Sequence, residues 1–260
     1  ILKELNVSEK STPPKAVLNE ISHAKDSLIT PEEYEKTAGD DFRQKIIARA
    51  YKLYQQRLRD ADAMDFDDLI NKTVELFRAC PDVLEYYQNR FKYLMVDEYQ
   101  DTNHAQYTFV RLLAEKHQNL CVVGDDDQSI YKFRGATIEN ILSFENTFQN
   151  AQVIRLEQNY RSTQNILDAA NAVIENNTER KGKTLWTQNG IGAQIHLHTA
   201  ENEMDEAERI GKIILDGVAA GRKFSDYAVL YRMNSQSMMF ERNFAKSGIP
   251  HRIIGGTRFY

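Results

Sequence analysis

Two short apolar runs that each end abruptly in acid constrain this 260-residue chain most. The first is FKYLMVDE (91–98) and the second LCVVGDDD (120–127). Between them, Tyr107, Val110, Leu113 and Ala114 recur at helical spacing. A third run, AQVIRLEQNY (151–160), leads into a helix predicted over 163–176. Strands that alternate with helices pair in parallel. The expected fold is α/β, with a doubly wound parallel sheet. Ligands of such sheets bind at the carboxyl ends of the strands, where all three polar clusters fall.

Alternation resumes after a polar, glycine-containing connection at 177–192. Strands are predicted at 195–200, 226–232 and 250–255. Helices are predicted at 203–219 and 236–246, the latter closed by Gly248. Residues 1–88 read as mostly helical. Pro13–Pro14 breaks the polar first thirty residues. Thr30–Pro31 followed by Glu32 and Glu33 signals a helix start. Phe42, Ile46, Ala50, Tyr54 and Leu58 recur at about four, and a further helix is expected over 66–79, with Pro81 beyond its end.

Hydrophobic residues make up 42% and charged residues 27%, which suits a soluble globular protein. No run of about 18 apolar residues and no secretory signal pattern is visible, so a cytoplasmic protein is expected. Cys80 and Cys121 lack metal-ligand spacing and read as two buried free thiols. A net charge of −5 argues against nonspecific coating of nucleic acid, while leaving room for a local basic channel.

Asp97 and Glu98 are adjacent on an extended backbone, so their side chains point to opposite sides. Two such carboxylates can serve one phosphate. One holds Mg²⁺, usually through water, and the other orients and deprotonates the attacking water. The pair also suits a solvated strand end. In GDDDQSIYKFRGA (124–136), Gly124 permits close approach to a nucleotide, and Gln128 can sense a γ-phosphate by hydrogen bonding. Tyr131 and Phe133 alternate with Lys132 and Arg134, a mixture that stacks on bases and meets phosphates in single-strand binding. Two aromatics in one stretch equally suit a core. In LEQNYRS (156–162), Arg161 can clamp a transferring phosphate and Tyr160 can stack on adenine, or they can be a surface arginine and a core tyrosine.

Three patterns are set aside. GKT (182–184) follows a helix and lacks the glycine five residues earlier that a phosphate-binding loop needs, because Asn177 stands there. His196 and His198 alternate along an expected exposed strand face. Asp60, Asp62, Asp65, Asp67 and Asp68 lack the spacing and glycine of a calcium loop.

Taken together, MVDEYQDTN, VVGDDDQSIYKFRGA, LEQNYRS and the terminal GGTRFY, in this order, closely resemble motifs of the superfamily 1 DNA helicases of the UvrD/PcrA type. DAMDFDDLI (62–70), NILSFE (140–145) and DYAVLYRMNSQS (226–237) resemble further segments of that family, so the likeness spans essentially the whole chain. It implies RecA-like parallel sheets of the P-loop NTPase type, forming parts of two RecA-like domains, with a mostly helical inserted domain. Residues 1–88 correspond to the insertion called 1B, 89–162 to the later half of domain 1A, and 163–260 to the start of domain 2A.

The resemblance also implies chemistry. The cofactors are ATP and Mg²⁺, bound between 1A and 2A. The partners are single-stranded DNA and junctions of single- and double-stranded DNA, with repair or replication accessory proteins and no membrane. Asp97 and Glu98 become a Walker B pair, Asp97 the Mg²⁺ ligand and Glu98 the catalytic base. Gln128 couples the γ-phosphate to DNA, Arg161 contacts the γ-phosphate, and Tyr160 stacks near the adenine. Tyr131, Phe133 and Arg134 lie on the DNA side. The family often has Trp at the position of Phe133. Asp126 carries no implied role.

The activity implied is that of an ATP-dependent 3′-to-5′ DNA helicase with DNA-stimulated ATPase. The helicase part of a RecB- or AddA-like helicase-nuclease is one alternative, and a non-catalytic DNA-binding module is another. The chain starts at Ile1, lacks a P-loop and stops at Tyr260, so a fragment of a longer helicase is expected. By itself it is expected to bind ATP poorly and not to unwind DNA.

Overall fold

A computed structural model describes residues 1–132, 135–148, 150–178 and 180–254. The chain folds as two compact units, Ile1–Ile191 and Gly192–Tyr260.

The first unit opens with five helices whose ends follow local signals. Helix α1 (Pro14–Asp26) starts on Pro14 at N1. Helix α2 (Pro31–Thr37) begins at a capping box, in which Thr30 accepts from Glu33 N and Glu33 reaches back to Thr30 N. Asp41 caps α3 (Phe42–Asp60) and Asp65 caps α4 (Phe66–Ala79). Pro81 starts α5 (Pro81–Arg90) directly.

The buried face of α3 is offset from the predicted row. Phe42 is exposed, while Ile47, Ala50, Tyr51 and Gln55 are buried, because α1 and α2 both pack on this helix. Ile47, Ala50 and Tyr51 join Leu2, Val17, Ile21 and Ala24 in one core. Beside it lies an uncommon buried cation. Lys25, 1% exposed, pairs with Asp65 at 2.5 Å and Asp68 at 3.0 Å. Tyr54 Oη and Gln55 Nε2 donate to the same two carboxylates. Here the acid-rich segment 60–68 serves as a helix cap and a counter-charge.

Strands β1 (Leu94–Val96) and β2 (Leu120–Val122) pair in parallel, with Leu94 opposite Leu120, Met95 opposite Cys121 and Val96 opposite Val122. Helix α6 (His104–Ala114) makes the crossover and is opened by a capping box between Asn103 and Gln106. The middle pair, Met95 and Cys121, faces outward. This corrects the reading of two buried thiols: both are free, but Cys121 is exposed and Cys80 only half-buried. Two short helices, α7 (Glu139–Leu142) and α8 (Phe144–Thr147), then precede α9 (Gln164–Ile174).

The predicted strand 151–160 does not form. Its pairing among the described residues is one isolated parallel bridge, Gln158 to Trp186, and Ile154 and Leu156 are exposed. A strand exists through its ladder, and no continuous partner flanks this segment among the described residues.

In the second unit, α10 (Glu203–Ala219) and α11 (Ser237–Lys246) pack together around Ala207, Ile214, Phe240, Phe244 and Ile249. The predicted strands 195–200 and 226–232, and the described part of 250–255, are likewise not strands. Alternation nevertheless survives at 227–231. Tyr227, Val229 and Tyr231 pack on the helices, while Leu230 faces out. No helix among the described residues is long and apolar enough to cross a membrane.

Candidate functional site

The carboxyl ends of β1 and β2 lie side by side, and the polar residues that follow them meet there. Val123 N donates to Val96 O at 2.8 Å, and Tyr99 N donates to Val123 O at 3.0 Å. The chain then turns sharply at Glu98, whose φ of 51° and ψ of 41° are left-handed. That conformation costs a non-glycine residue roughly 1–2 kcal/mol. Neighbouring bonds hold it. Asp97 Oδ1 accepts Glu98 N at 2.9 Å, Gln100 Nε2 donates to Glu98 Oε2 at 2.8 Å, and Asp101 N donates to Glu98 O at 2.9 Å.

Gln100 is 1% exposed and connects the two strand ends. Its amide nitrogen holds Glu98, and its carbonyl oxygen accepts Asp125 N at 2.9 Å. Asp125 Oδ2 in turn accepts Gln128 Nε2 at 2.7 Å. Glu98, Gln100, Asp125 and Gln128 therefore form one continuous hydrogen-bonded chain. Asp97, Glu98 and Gln128 are exposed beside it. Burial and the nearby Glu98 raise the Asp101 carboxyl above its ordinary range, and its Oδ1 is buried without a partner among the described residues.

Gly124 is required by packing. A Cβ there would stand 2.7 Å from Gln100 Oε1, 2.8 Å from Ile141 Cδ1 and 3.2 Å from Tyr99 N. The sequence ties this glycine to nucleotide approach, but the neighbours that exclude a side chain belong to the protein.

Tyr160 and Arg161 sit on the turn before α9, both exposed. Asn159 Oδ1 accepts the backbone N–H groups of Arg161 and Ser162, and Asn189 Nδ2 donates to the carbonyls of Tyr160 and Ser162. Among the described residues, no hydrogen bond or ion pair joins Tyr160 or Arg161 directly to the Glu98–Gln128 chain. Tyr131 lies at the partly exposed start of the loop after Gln128. Phe133, Arg134 and GGTRFY (255–260) lie outside the described residues.

Sequence reasoning missed Gln100, Asp125, Arg180 and Lys183. Gln100 stands in the YQDT stretch, but a polar residue on a strand end gives no sign of complete burial. Arg180 and Lys183 lie in a segment whose composition is that of a connection.

The donor set suits a hard cation. Magnesium takes one or two protein carboxylates and fills its shell with water and phosphate oxygens. Asp97 supplies one such group with Glu98 beside it, and the described residues hold no cluster of three or more acidic, His or Cys ligands.

A parallel pair of strands whose ends carry adjacent carboxylates and a polar loop is in keeping with a domain of the RecA-like superfamily. The chain belongs to the UvrD-like helicases: residues 1–149 match the UvrD/REP helicase N-terminal domain and residues 154–260 the UvrD-like helicase C-terminal domain. Over all 260 residues it is 53% identical to the ATP-dependent DNA helicase PcrA of Staphylococcus epidermidis strain RP62A. It is 52% identical to the ATP-dependent DNA helicase PcrA of Staphylococcus aureus strain Mu50. The chain spans 36% of the length of these curated relatives.

Proposed function

We propose that this chain is the Walker B-bearing part of an ATP-dependent DNA helicase that moves 3′-to-5′ along single-stranded DNA and unwinds duplex ahead of it. The observation that carries the reading is the Glu98 turn. Two exposed carboxylates stand at the edge of a parallel pair of strands, with one backbone held in a costly left-handed conformation by a buried glutamine. Strain maintained at a polar sheet edge is characteristic of functional sites.

In this reading residues 1–88 are the helical insertion, 89–162 the later half of the first RecA-like domain, and 163–260 the start of the second. Asp97 would hold Mg²⁺ bound to ATP, and the ion would neutralise phosphate charge. Glu98 takes the proton of the attacking water on its carboxylate, while Gln100 fixes the orientation of that carboxylate. Gln128 hydrogen-bonds the γ-phosphate and Arg161 neutralises it. Tyr160 stacks on the adenine. Tyr131, Phe133 and Arg134 meet single-stranded DNA. The chain alone, with no P-loop of its own, should hydrolyse ATP poorly.

The test is ATP hydrolysis by the protein that carries this chain, with and without single-stranded DNA, beside Glu98→Gln. The variant keeps the size of the side chain and an acceptor for Gln100 Nε2, so it isolates the loss of the base. Strong stimulation by DNA that falls roughly 10²–10⁴-fold in the variant supports the assignment. Hydrolysis that ignores DNA, or survives the substitution, overturns it. Robust hydrolysis by the 260 residues alone that depends on Glu98 would overturn the expected inactivity.

A further inference from the structure

The segment 180–183, which overlaps the GKT look-alike of a phosphate-binding loop, directs its charges onto the protein itself. Arg180 makes a two-pronged contact with Asp127, Nε to Oδ1 at 2.7 Å and Nη2 to Oδ2 at 2.8 Å. Lys183 Nζ donates to Asp125 Oδ1 and stands 3.5 Å from Asp127 and 3.9 Å from Asp126. Lys181 N donates to Asp126 Oδ2 at 2.7 Å. Three consecutive aspartates after β2 are thus gripped by Arg180, Lys181 and Lys183, more than fifty positions later. The Arg180, Asp127 and Lys183 side chains are only 13–16% exposed, so solvent and salt screen these pairs less than surface ones.

Asp125 is the hub. One carboxylate oxygen takes Lys183 and Asp127 N, and the other takes Gln128 Nε2. Burial pushes this carboxyl up, but the bonds from Lys183 and Gln128 outweigh burial and hold it below its ordinary range. It is therefore an ionised, acceptor-only group at neutral pH. An acceptor-only partner decides which end of an amide faces it. Gln128 must turn its NH₂ group toward Asp125 and leave its carbonyl oxygen and second N–H outward. Without that partner an exposed glutamine retains its rotamer freedom.

We propose that Lys183 and Arg180 are positioning residues for Gln128: they hold the 125–127 loop so that Asp125 presents Gln128 in one fixed orientation at the sheet edge. The proposal deepens the reading of Gln128 as the γ-phosphate sensor and rests on it for its catalytic consequence. It also explains the basic residues of 180–183 without any phosphate-binding loop.

The test has a structural arm and a kinetic arm. The Gln128 side-chain amide signal is located in a ¹⁵N NMR spectrum of this chain by its loss in Gln128→Ala. Lys183→Met and Asp125→Asn should each move that signal toward free glutamine and narrow it. Lys181→Met, which removes only the pair with Glu145, should leave it in place. If Lys183→Met fails to fold, Asp125→Asn, which preserves shape, decides the outcome. An unmoved Gln128 signal in a folded Lys183→Met or Asp125→Asn protein overturns the proposal.

In the kinetic arm, Lys183→Met should lower stimulation of ATP hydrolysis by DNA about tenfold alone and have no further effect in a Gln128→Ala background. Additive losses overturn the positioning role. If the amide signal moves as expected but Gln128→Ala leaves hydrolysis unchanged, the clamp stands and the sensor role of Gln128 falls.

Discussion

The buried Gln100 side chain accepts the backbone N–H of Asp125 at 2.9 Å and so ties the end of β1 to the end of β2. Its other end holds Glu98. Replacing it with leucine keeps the volume but orphans Asp125 N and frees Glu98. We expect Gln100→Leu to cost about 1–3 kcal/mol in urea denaturation, since a part-buried donor loses its partner. ATP hydrolysis by the protein that carries this chain, on the proposed function, should fall further than stability explains, because the strained Glu98 turn loses its support.

Gly124→Ala should be destabilising despite the small change. The added methyl would meet Gln100 Oε1 at 2.7 Å and Ile141 Cδ1 at 2.8 Å, both in packed surroundings. Overpacking of this kind costs about 1–3 kcal/mol. Thermal denaturation of the single variant checks the size, and the loss should shrink beside Gln100→Ala, which opens the space.

Lys25 is the most buried cation described, and its removal leaves Asp65 and Asp68 without a counter-charge. Lys25→Met should destabilise the first unit by about 3–5 kcal/mol. Chemical denaturation near neutral pH measures it. A loss under about 1 kcal/mol would mean water reaches the carboxylates.

Asp26 should shape the acid limb of stability. Burial and the nearby Asp67 raise its carboxyl from 3.8 to about 6, against the lowering effects of His23 and the bond from Asn103. The folded state therefore binds the proton more tightly than the unfolded state. The stability that protonated Asp26 contributes is fully present below about pH 4 and is lost as pH rises toward about 6. Asn103 Nδ2 donates to Asp26 Oδ1 at 2.5 Å, an acceptor that asparagine retains. Asp26→Asn should therefore flatten the profile between about pH 4 and 6 and raise neutral-pH stability by about 1 kcal/mol, a figure reduced for the partial exposure of the group. Denaturation midpoints from about pH 4 to about pH 8 provide the measurement.

Tyr227 Oη is buried with no partner among the described residues, pressed against Gly217. A buried hydroxyl without a hydrogen bond is a cost that phenylalanine removes. Tyr227→Phe should leave the second unit unchanged or stabilise it by up to about 1 kcal/mol. Gly217→Ala should do the opposite, since its Cβ would stand 2.9 Å from Tyr227 Cζ. Thermal melts of the two variants should move in opposite directions.

Helix α2 was legible in four letters, because Thr30, Pro31 and Glu33 act on backbone groups within one turn. The far end of helix α4 was legible from Pro81 beyond it, whereas its cap, Asp65, read only as one acid of a cluster. Residues 151–160 were not. Their β-branched run has the composition of a strand, but a ladder is a property of two segments, and only Gln158 meets Trp186 among the described residues. At the site, the acids and Gln128 were legible as residue types at strand ends. Lys183, 58 residues from Asp125, was not, because a lysine three positions from an arginine reads as solvated charge until an acid is brought to it.

By itself the sequence determined α2, α3, α4, α6, α9, α10 and α11, the parallel pair β1 and β2, the carboxylates at their edge and the family, but not α1, α5, α7 or α8. Those features depend on spacing within a turn or strand and on side-chain chemistry at known positions. Only the tertiary structure decided that Gln100 is buried between the strand ends, that Glu98 is held left-handed, and that Arg180 and Lys183 clamp the aspartates beside Gln128. Each of these depends on which distant groups share one low-dielectric place, and in such a place an unpaired polar group costs far more than it does in water.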